Sequence, residues 1–181
     1  MTRQRAVADG LYHFRPVVPA DLPMLRRWRE GPEVLPWWGA WEHSEAELAA
    51  HLADPAMALW IVEHAGRPFA FVQDYACHAW EAHPFSYLPA GARGVDLYIG
   101  EADMLDRGHG SALLRQSCDR LFDCGVPAIG TDPHPDNVRA IRAYEKAGFV
   151  VVSGPVDTRW GRAVLMERRA EPRLHQAPLS P

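Results

Sequence analysis

The chain has 181 residues, of which 48% are hydrophobic and 23% charged, and its formal net charge is -4. The length suits one domain with its own core, and the composition excludes wholesale disorder. The longest apolar stretches fall far short of the roughly 20 residues that a membrane span needs. The acidic balance argues against a nucleic-acid-binding module. It suits a cationic substrate, although an ordinary soluble surface explains it equally well.

Cysteine and histidine usage bears on compartment and metal binding. Cys77, Cys118 and Cys124 have no CxxC spacing, and the nine histidines form no HExxH pair. Both a disulfide framework and a zinc site are therefore disfavoured, and we expect no metal. Residues 1–5 are partly basic but precede no apolar segment, so no secretory signal is visible and we expect a cytoplasmic location.

The first half of the chain predicts two helices and three strands. A strand at 11–18 precedes a helix at 20–30, and a loop rich in tryptophan separates that helix from a second one at 44–53. Ser44 and Glu47 have the spacing of a capping box at the start of the second helix. Strands at 58–63 and 68–75 flank a four-residue turn and predict a hairpin.

The second half predicts alternating strands and helices. In a strand at 93–100, Val95, Leu97 and Ile99 share one face, whereas Asp96 and Tyr98 point to the other. Helices at 108–124 and 135–147 enclose a strand at 127–131, and strands at 149–152 and 162–167 follow. The order β-α-α-β-β-β-α-β-α-β-β predicts one mixed α/β sheet covered by helices. We assign residues 1–10 to an N-terminal extension, 11–169 to the domain and 170–181 to a flexible tail.

A glycine-rich turn, Arg107-Gly108-His109-Gly110-Ser111, leads into the predicted helix, whose regular part starts near Gly110. Small residues let backbone N–H groups approach an anion, and the first helical turn leaves those donors unpaired. The spacing is neither that of a Walker loop nor GxGxxG. Taken alone, this turn is explained better as a plain loop-to-helix junction.

A second motif lies downstream of the turn, and the two together are specific. Its residues are Asn137, Ala140, Tyr144, Lys146, Gly148 and Phe149. In this order and separation, the pair of motifs resembles the GNAT acetyltransferase superfamily. The resemblance implies a mostly antiparallel sheet with an acetyl-CoA cleft between splayed strands. The residues it assigns to acetyl-CoA are Leu97, Tyr98, Ile99, Arg107, Gly108, His109, Gly110, Ser111, Asn137 and Lys146. Leu105 departs from the family, which often has Gln or Arg there.

Further segments are similar to the aminoglycoside 6′-N-acetyltransferases. They are Trp37-Trp38-Gly39, Gln73 with Tyr75, Arg93-Gly94-Val95-Asp96 and Thr131-Asp132-Pro133. The resemblance implies that Asp96 is the base and that Tyr144 protonates the leaving thiolate. It assigns the cationic substrate to Trp37, Trp38, Gln73, Tyr75, Trp80 and Asp132. A carboxylate suits this chemistry because an ammonium must lose its proton before it can attack.

Structural explanations compete with these roles. Asp96 could pair with Arg93 or cap a loop, and Tyr144 could be an aromatic packed between helix and sheet. The function also has alternatives, since one fold hosts many substrates. They are acetylation of a siderophore hydroxylamine or of a protein N-terminus, and a non-catalytic acetyl-CoA sensor. We expect a polycationic substrate because acidic residues cluster in the half predicted to form the cleft: Asp74, Glu81, Asp96, Glu101, Asp103, Asp132 and Asp136.

Overall fold

A computed structural model describes residues 11–39, 41 and 44–171, without the side chains of Ser44 and Glu47. Seven strands in this part of the chain form one sheet: β1 (His13–Pro16), β2 (Met57–His64), β3 (Arg67–Ala76), β4 (Arg93–Ile99), β5 (Ala128–Thr131), β6 (Val150–Thr158) and β7 (Gly161–Arg169). The α-helices are α1 (Leu22–Arg29), α2 (Leu35–Trp38), α3 (Ser44–Ala53), α4 (His109–Asp123) and α5 (Val138–Lys146). The N-terminal extension, nearly all of the predicted tail and the capping-box side chains lie outside the described residues.

The sheet order is β1-β2-β3-β4-β5-β7-β6, and every neighbouring pair is antiparallel except β4 and β5. Those two strands run parallel because α4 connects them as a crossover. The predicted order of the strands and the mixed, mostly antiparallel sheet are confirmed. The tryptophan-rich segment predicted as a loop is corrected, because it contains the short helix α2. None of the helices in the described ranges is long and apolar enough to cross a membrane.

The parallel pair separates after two paired positions, Arg93 with Ile129 and Gly94 with Gly130. From residue 95 onward, the described β4 residues pair only with β3, so a wedge opens between β4 and β5. Aromatic rings pack against the backbone of β4 and of β5 at the point where the two strands separate. A Cβ on Gly94 would lie 2.1 Å from the Tyr75 ring, and one on Gly130 would lie 2.5 Å from the Phe85 ring. Both positions therefore require glycine for close packing.

The sheet buries a core on each face. Val95 packs with α4 and α5 in a cluster that includes Leu114 and Phe149. Tyr98 packs on the opposite face with Trp28 of α1 and Phe71 of β3. The predicted alternation of faces along β4 is thus confirmed, and it leaves Asp96 on the face of Tyr98.

The structure departs from the predicted elements at β6, which runs to Thr158 and not to residue 152. Ser153, Gly154 and Pro155 follow the predicted end of the strand. Irregular pairing between Val151 and Val156 accommodates these residues. An edge strand tolerates proline because one of its sides has no ladder partner. The longer hairpin brings the β6–β7 turn to the cleft described below.

Candidate active site

Two cavities adjoin the wedge between β4 and β5. The first has a volume of about 600 Å³ and lies on the face of Asp96, and the second, of about 470 Å³, lies between β4, α5 and the start of α4. Six residues line both cavities: Trp37, Trp38, Leu97, Tyr98, Asn137 and Ala140. The two compartments therefore meet along the free edge of β4, so two ligands could meet there.

Asp96 stands on the sheet side of the first cavity, opposite its cross-strand neighbour Gln73. The Gln73 amide donates a hydrogen bond from Nε2 to Asp96 Oδ2 at 2.9 Å. Arg93 does not pair with Asp96, because its guanidinium forms an ion pair with the buried Asp74. The competing interpretation of Asp96 as the partner of Arg93 is therefore wrong.

A second carboxyl group lines the same cavity, Asp132 at the end of β5. Burial raises the pKa of Asp96, and hydrogen bonding from Gln73 opposes that increase. Burial also raises the pKa of Asp132, and the charge of Asp96 raises it further. Two carboxyl groups so placed cannot easily both ionise, and a bound cation would relieve their repulsion. The pair can therefore attract an ammonium group and accept a proton from it.

Tyr144, on α5, also lines the first cavity. Its ring packs edge-on against Phe149 at 5.3 Å, so the expected aromatic packing is present as well. Burial raises the pKa of Tyr144, as does the charge of Asp96. The neighbouring Thr131 hydroxyl opposes this increase in the pKa of Tyr144. The Thr131 oxygen is itself buried without a hydrogen bond of ordinary geometry. The phenol consequently stays protonated at neutral pH and can donate its proton.

The predicted substrate residues Trp37, Trp38, Gln73, Tyr75, Trp80 and Asp132 all line the first cavity. Their aromatic rings differ in accessibility. Trp38 packs edge-on against Tyr98 at 5.0 Å, and Trp80 packs edge-on against Tyr75 at 5.8 Å. Trp37 is 38% exposed and lies 5.9 Å from the His134 ring. Trp37 is therefore the most accessible of the predicted aromatic residues.

The second cavity begins at the glycine-rich turn. Asp106 and Gly108 have φ angles of +55° and +84°, and Gly108 is the N-cap of α4. Eight of the ten residues predicted to bind the cofactor line this cavity: Leu97, Tyr98, Ile99, Gly108, Gly110, Ser111, Asn137 and Lys146. Free N–H groups at the first turn of α4 suit a pyrophosphate, so the residues present fit this part of acetyl-CoA.

Three of the predicted cofactor residues make contacts that the motif did not indicate or lie outside the cavity. Arg107 is exposed and does not line the second cavity. His109 is predicted to contact phosphate through its backbone N–H, and its imidazole contacts Tyr12 instead, with Nδ1 2.8 Å from the Tyr12 hydroxyl. Asn137 lines the cavity but caps α5, since its Oδ1 accepts a hydrogen bond from the Ala140 N–H at 3.1 Å. This capping is a structural role that the motif did not indicate.

Sequence reasoning missed several charged residues at the cavities. Arg139 and Arg142 line the second cavity with Lys146, and Arg139 forms an ion pair with Glu33 at 2.8 Å. Their spacing of three and four residues along α5 was the available signal. The charged residues of the first cavity are Arg29, Asp54, Asp96, Asp132, Arg159 and Arg162.

The expected acidic cluster is wrong for several of its members. Asp74 pairs with Arg93, while Glu101 and Asp103 pair with arginines away from the cleft. Five members of the expected cluster line neither cavity: Asp74, Glu81, Glu101, Asp103 and Asp136. Its members Asp96 and Asp132 do line the first cavity, together with Asp54, which was not predicted.

Comparison with known proteins agrees with this architecture. Residues 17–156 match the family model of the acetyltransferase (GNAT) domain, so the chain belongs to the GNAT acetyltransferases. It is 36% identical over 159 residues to aminoglycoside N(6′)-acetyltransferase type 1 of Klebsiella pneumoniae, covering 81% of this chain and 77% of that one.

Two solved structures of AAC(6′)-Ib are also similar to this chain. One, in complex with paromomycin and acetyl-CoA, has a TM-score of 0.78 at 34% identity and covers 89% of this chain and 94% of its own. The other, with ribostamycin and coenzyme A, has a TM-score of 0.78 at 33% identity and the same coverage. The GNAT fold expected from the sequence is therefore confirmed.

Proposed function

We propose that the protein transfers the acetyl group of acetyl-CoA to a 6′-type primary amine of an aminoglycoside, by direct attack in a ternary complex. The observation that carries this proposal is the pair of carboxyl groups, Asp96 and Asp132, in a cavity that opens onto the glycine-rich turn. Relatives of the chain are aminoglycoside acetyltransferases, and one of them binds ribostamycin together with coenzyme A.

In this proposal, Asp132 holds the substrate ammonium and Asp96 removes its proton, directly or through water. A base is most effective when its pKa is close to the working pH, and the pKa of Asp96 is raised in that direction. Gln73 fixes one oxygen of Asp96 by its hydrogen bond, which leaves the other oxygen for the amine. Trp37, Trp38, Tyr75 and Trp80 enclose the sugar with aromatic surface.

Tyr144 is proposed to donate a proton to the departing thiolate. Its pKa is raised, so the phenol is a weak acid, and donation needs only to accompany cleavage of the C–S bond. Direct attack is favoured over an acyl-enzyme because burial raises the pKa of Cys77 and of Cys118 to about 12. Cys124 is exposed, but it lies just after α4, about 22 Å along the helix from the glycine-rich turn.

Acetyl-CoA, which supplies a reactive thioester, is assigned to the second cavity. Its pyrophosphate would lie at residues 107–111 and its pantetheine arm along Leu97, Tyr98 and Ile99, whose strand edge faces the wedge. Arg142 and Lys146 supply positive charge for the phosphates. We further propose a cytoplasmic location, because acetyl-CoA and free cysteines are both compatible with it.

The alternative acceptors fit the first cavity less well. Asp96 and Asp132, on the inner side of this cavity, suit an ammonium group and would repel an anionic siderophore there. Incubation with acetyl-CoA and an aminoglycoside, a lysine-type hydroxylamine or a short peptide, followed by mass analysis, tests this choice. We expect a gain of one acetyl group on the aminoglycoside. Acetylation confined to either other acceptor would contradict the proposal.

Gly110→Val is expected to raise the KM for acetyl-CoA about tenfold or more, with little change in Tm. A Cβ on Gly110 would meet protein atoms no closer than 3.8 Å, and valine is no worse than glycine in a helix. The added methyl groups would instead occupy the space proposed for the pyrophosphate. Steady-state kinetics and thermal unfolding measure both quantities. Gly110→Ala should give a smaller increase, and an unchanged KM in both variants would remove the pyrophosphate from this turn.

A further inference from the structure

The turn between β6 and β7 lies at the outer side of the first cavity. Thr158 closes this turn, because its hydroxyl donates to the Gly161 carbonyl at 2.8 Å and accepts from the Trp160 N–H at 3.1 Å. Trp160 lines the cavity although its surface is 52% exposed. A large aromatic ring at a cavity mouth, on a turn with its own hydrogen bonds, is an accessible surface for a sugar ring.

Residues of the 77–92 segment support the Trp160 ring. The ring centroid of His83 lies 5.0 Å from that of Trp160, and His83 also contacts Trp80 at 6.1 Å. His83 is itself buried, and its Nδ1 accepts a hydrogen bond from the Phe85 N–H at 3.2 Å. The tryptophan is thus braced by a second, independently fixed segment.

The outer side of the cavity carries the opposite charge from its inner side. Asp96 and Asp132 are partly buried at the sheet, whereas Arg159 and Arg162 are exposed on the hairpin. The Arg159 guanidinium stands 4.9 Å from the centroid of the Trp160 ring. Asp157 stands opposite Arg162 across the hairpin, so Arg159 is the charge that repels an ammonium group at the outer side, whereas the carboxyl groups attract it at the inner side.

We propose that Trp160 and Arg159 form a subsite for an uncharged sugar ring remote from the acetylated amine. Trp160 supplies the stacking surface, and Arg159 disfavours substrates that place a further ammonium there. This inference rests on the proposed aminoglycoside acetylation. It assigns substrate preference to a hairpin that none of the predicted site residues occupies.

Three aminoglycosides that share one acetylatable ring test the subsite. Neamine has two rings, ribostamycin adds an uncharged ribose, and neomycin B adds a further ring with two amines. We expect Trp160→Ala to lower the ratio of kcat/KM for ribostamycin to that for neamine about tenfold, and Trp160→Phe to retain most of it. Arg159→Gln should raise the ratio for neomycin B to ribostamycin by about threefold or more.

Calorimetric binding of the same compounds to the CoA complex provides a readout that needs no turnover. If Trp160→Ala lowered the affinity for neamine and for ribostamycin equally, Trp160 would serve the stability of the hairpin, and the subsite would be overturned. The subsite would also be overturned if the kcat/KM ratios between compounds were unchanged in both Trp160→Ala and Arg159→Gln. Binding that depends on Trp160, without any acetylation by the unaltered protein, would support the subsite and refute the proposed reaction.

Discussion

Asp96→Asn is expected to lower kcat/KM for an aminoglycoside at neutral pH by about 10²–10⁴-fold, the range of general base catalysis. The change is nearly isosteric but removes the charge and the basicity together. Activity should recover partly as pH rises, because more of the substrate amine is then already unprotonated. A pH–rate profile of the variant beside the unaltered protein measures both effects.

The stability of this variant separates catalysis from structure. The pKa of Asp96 is higher in the folded protein than in the unfolded chain. The folded state therefore loses stability as the pH rises above the pKa that Asp96 has in the unfolded chain. Replacement by a neutral amide should therefore leave Tm equal or higher at neutral pH. Asp74→Asn is the matched control, because Asp74 pairs with Arg93 away from both cavities. It should lower Tm while each folded molecule keeps its rate. A folded Asp96→Asn variant with an undiminished rate would remove Asp96 from the chemistry.

Tyr144→Phe is expected to lower kcat by about 10²-fold or more while both KM values change little. The hydroxyl is needed only when the thiolate departs, so its loss affects the chemical step and not binding. Phenylalanine preserves the ring that packs against Phe149, and Tm should change only slightly. Steady-state kinetics, with single-turnover measurements to show that chemistry limits the rate, test this role.

Two outcomes would contradict the role of Tyr144. One is an undiminished kcat in the variant while chemistry is rate-limiting. The other is a parallel loss of Tm and of binding for both substrates, which would identify a packing residue. The raised pKa of Tyr144 also implies that its deprotonation does not cause a loss of activity near neutral pH.

Local periodicity accounts for most of what the sequence predicted correctly. Alternation along β4 placed Asp96 on the face opposite Val95, and the glycine-rich turn before α4 marked the edge of the second cavity. These features depend on residues close together in the chain. The wedge itself was expected only through resemblance to GNAT proteins, since strand separation leaves no local pattern.

The features that sequence reasoning missed depend on contacts between distant segments. The pairing of Arg93 with Asp74 joins two strands, and no rule of spacing favours it over pairing with Asp96. The His109 imidazole is held by Tyr12, 97 positions earlier in the chain. Trp160 lines the first cavity at the end of a hairpin whose edge strand, β6, continues past Pro155 and beyond its predicted end at residue 152.

The position of the acetyl group on ribostamycin tests the central proposal most directly. The protein is incubated with acetyl-CoA and ribostamycin, and the product is analysed by mass spectrometry and NMR. The paired carboxyl groups Asp96 and Asp132, beside the glycine-rich turn, predict a product with one acetyl group on the 6′ nitrogen. Ribostamycin recovered without an acetyl group, or acetylated only on another nitrogen, would contradict the proposal.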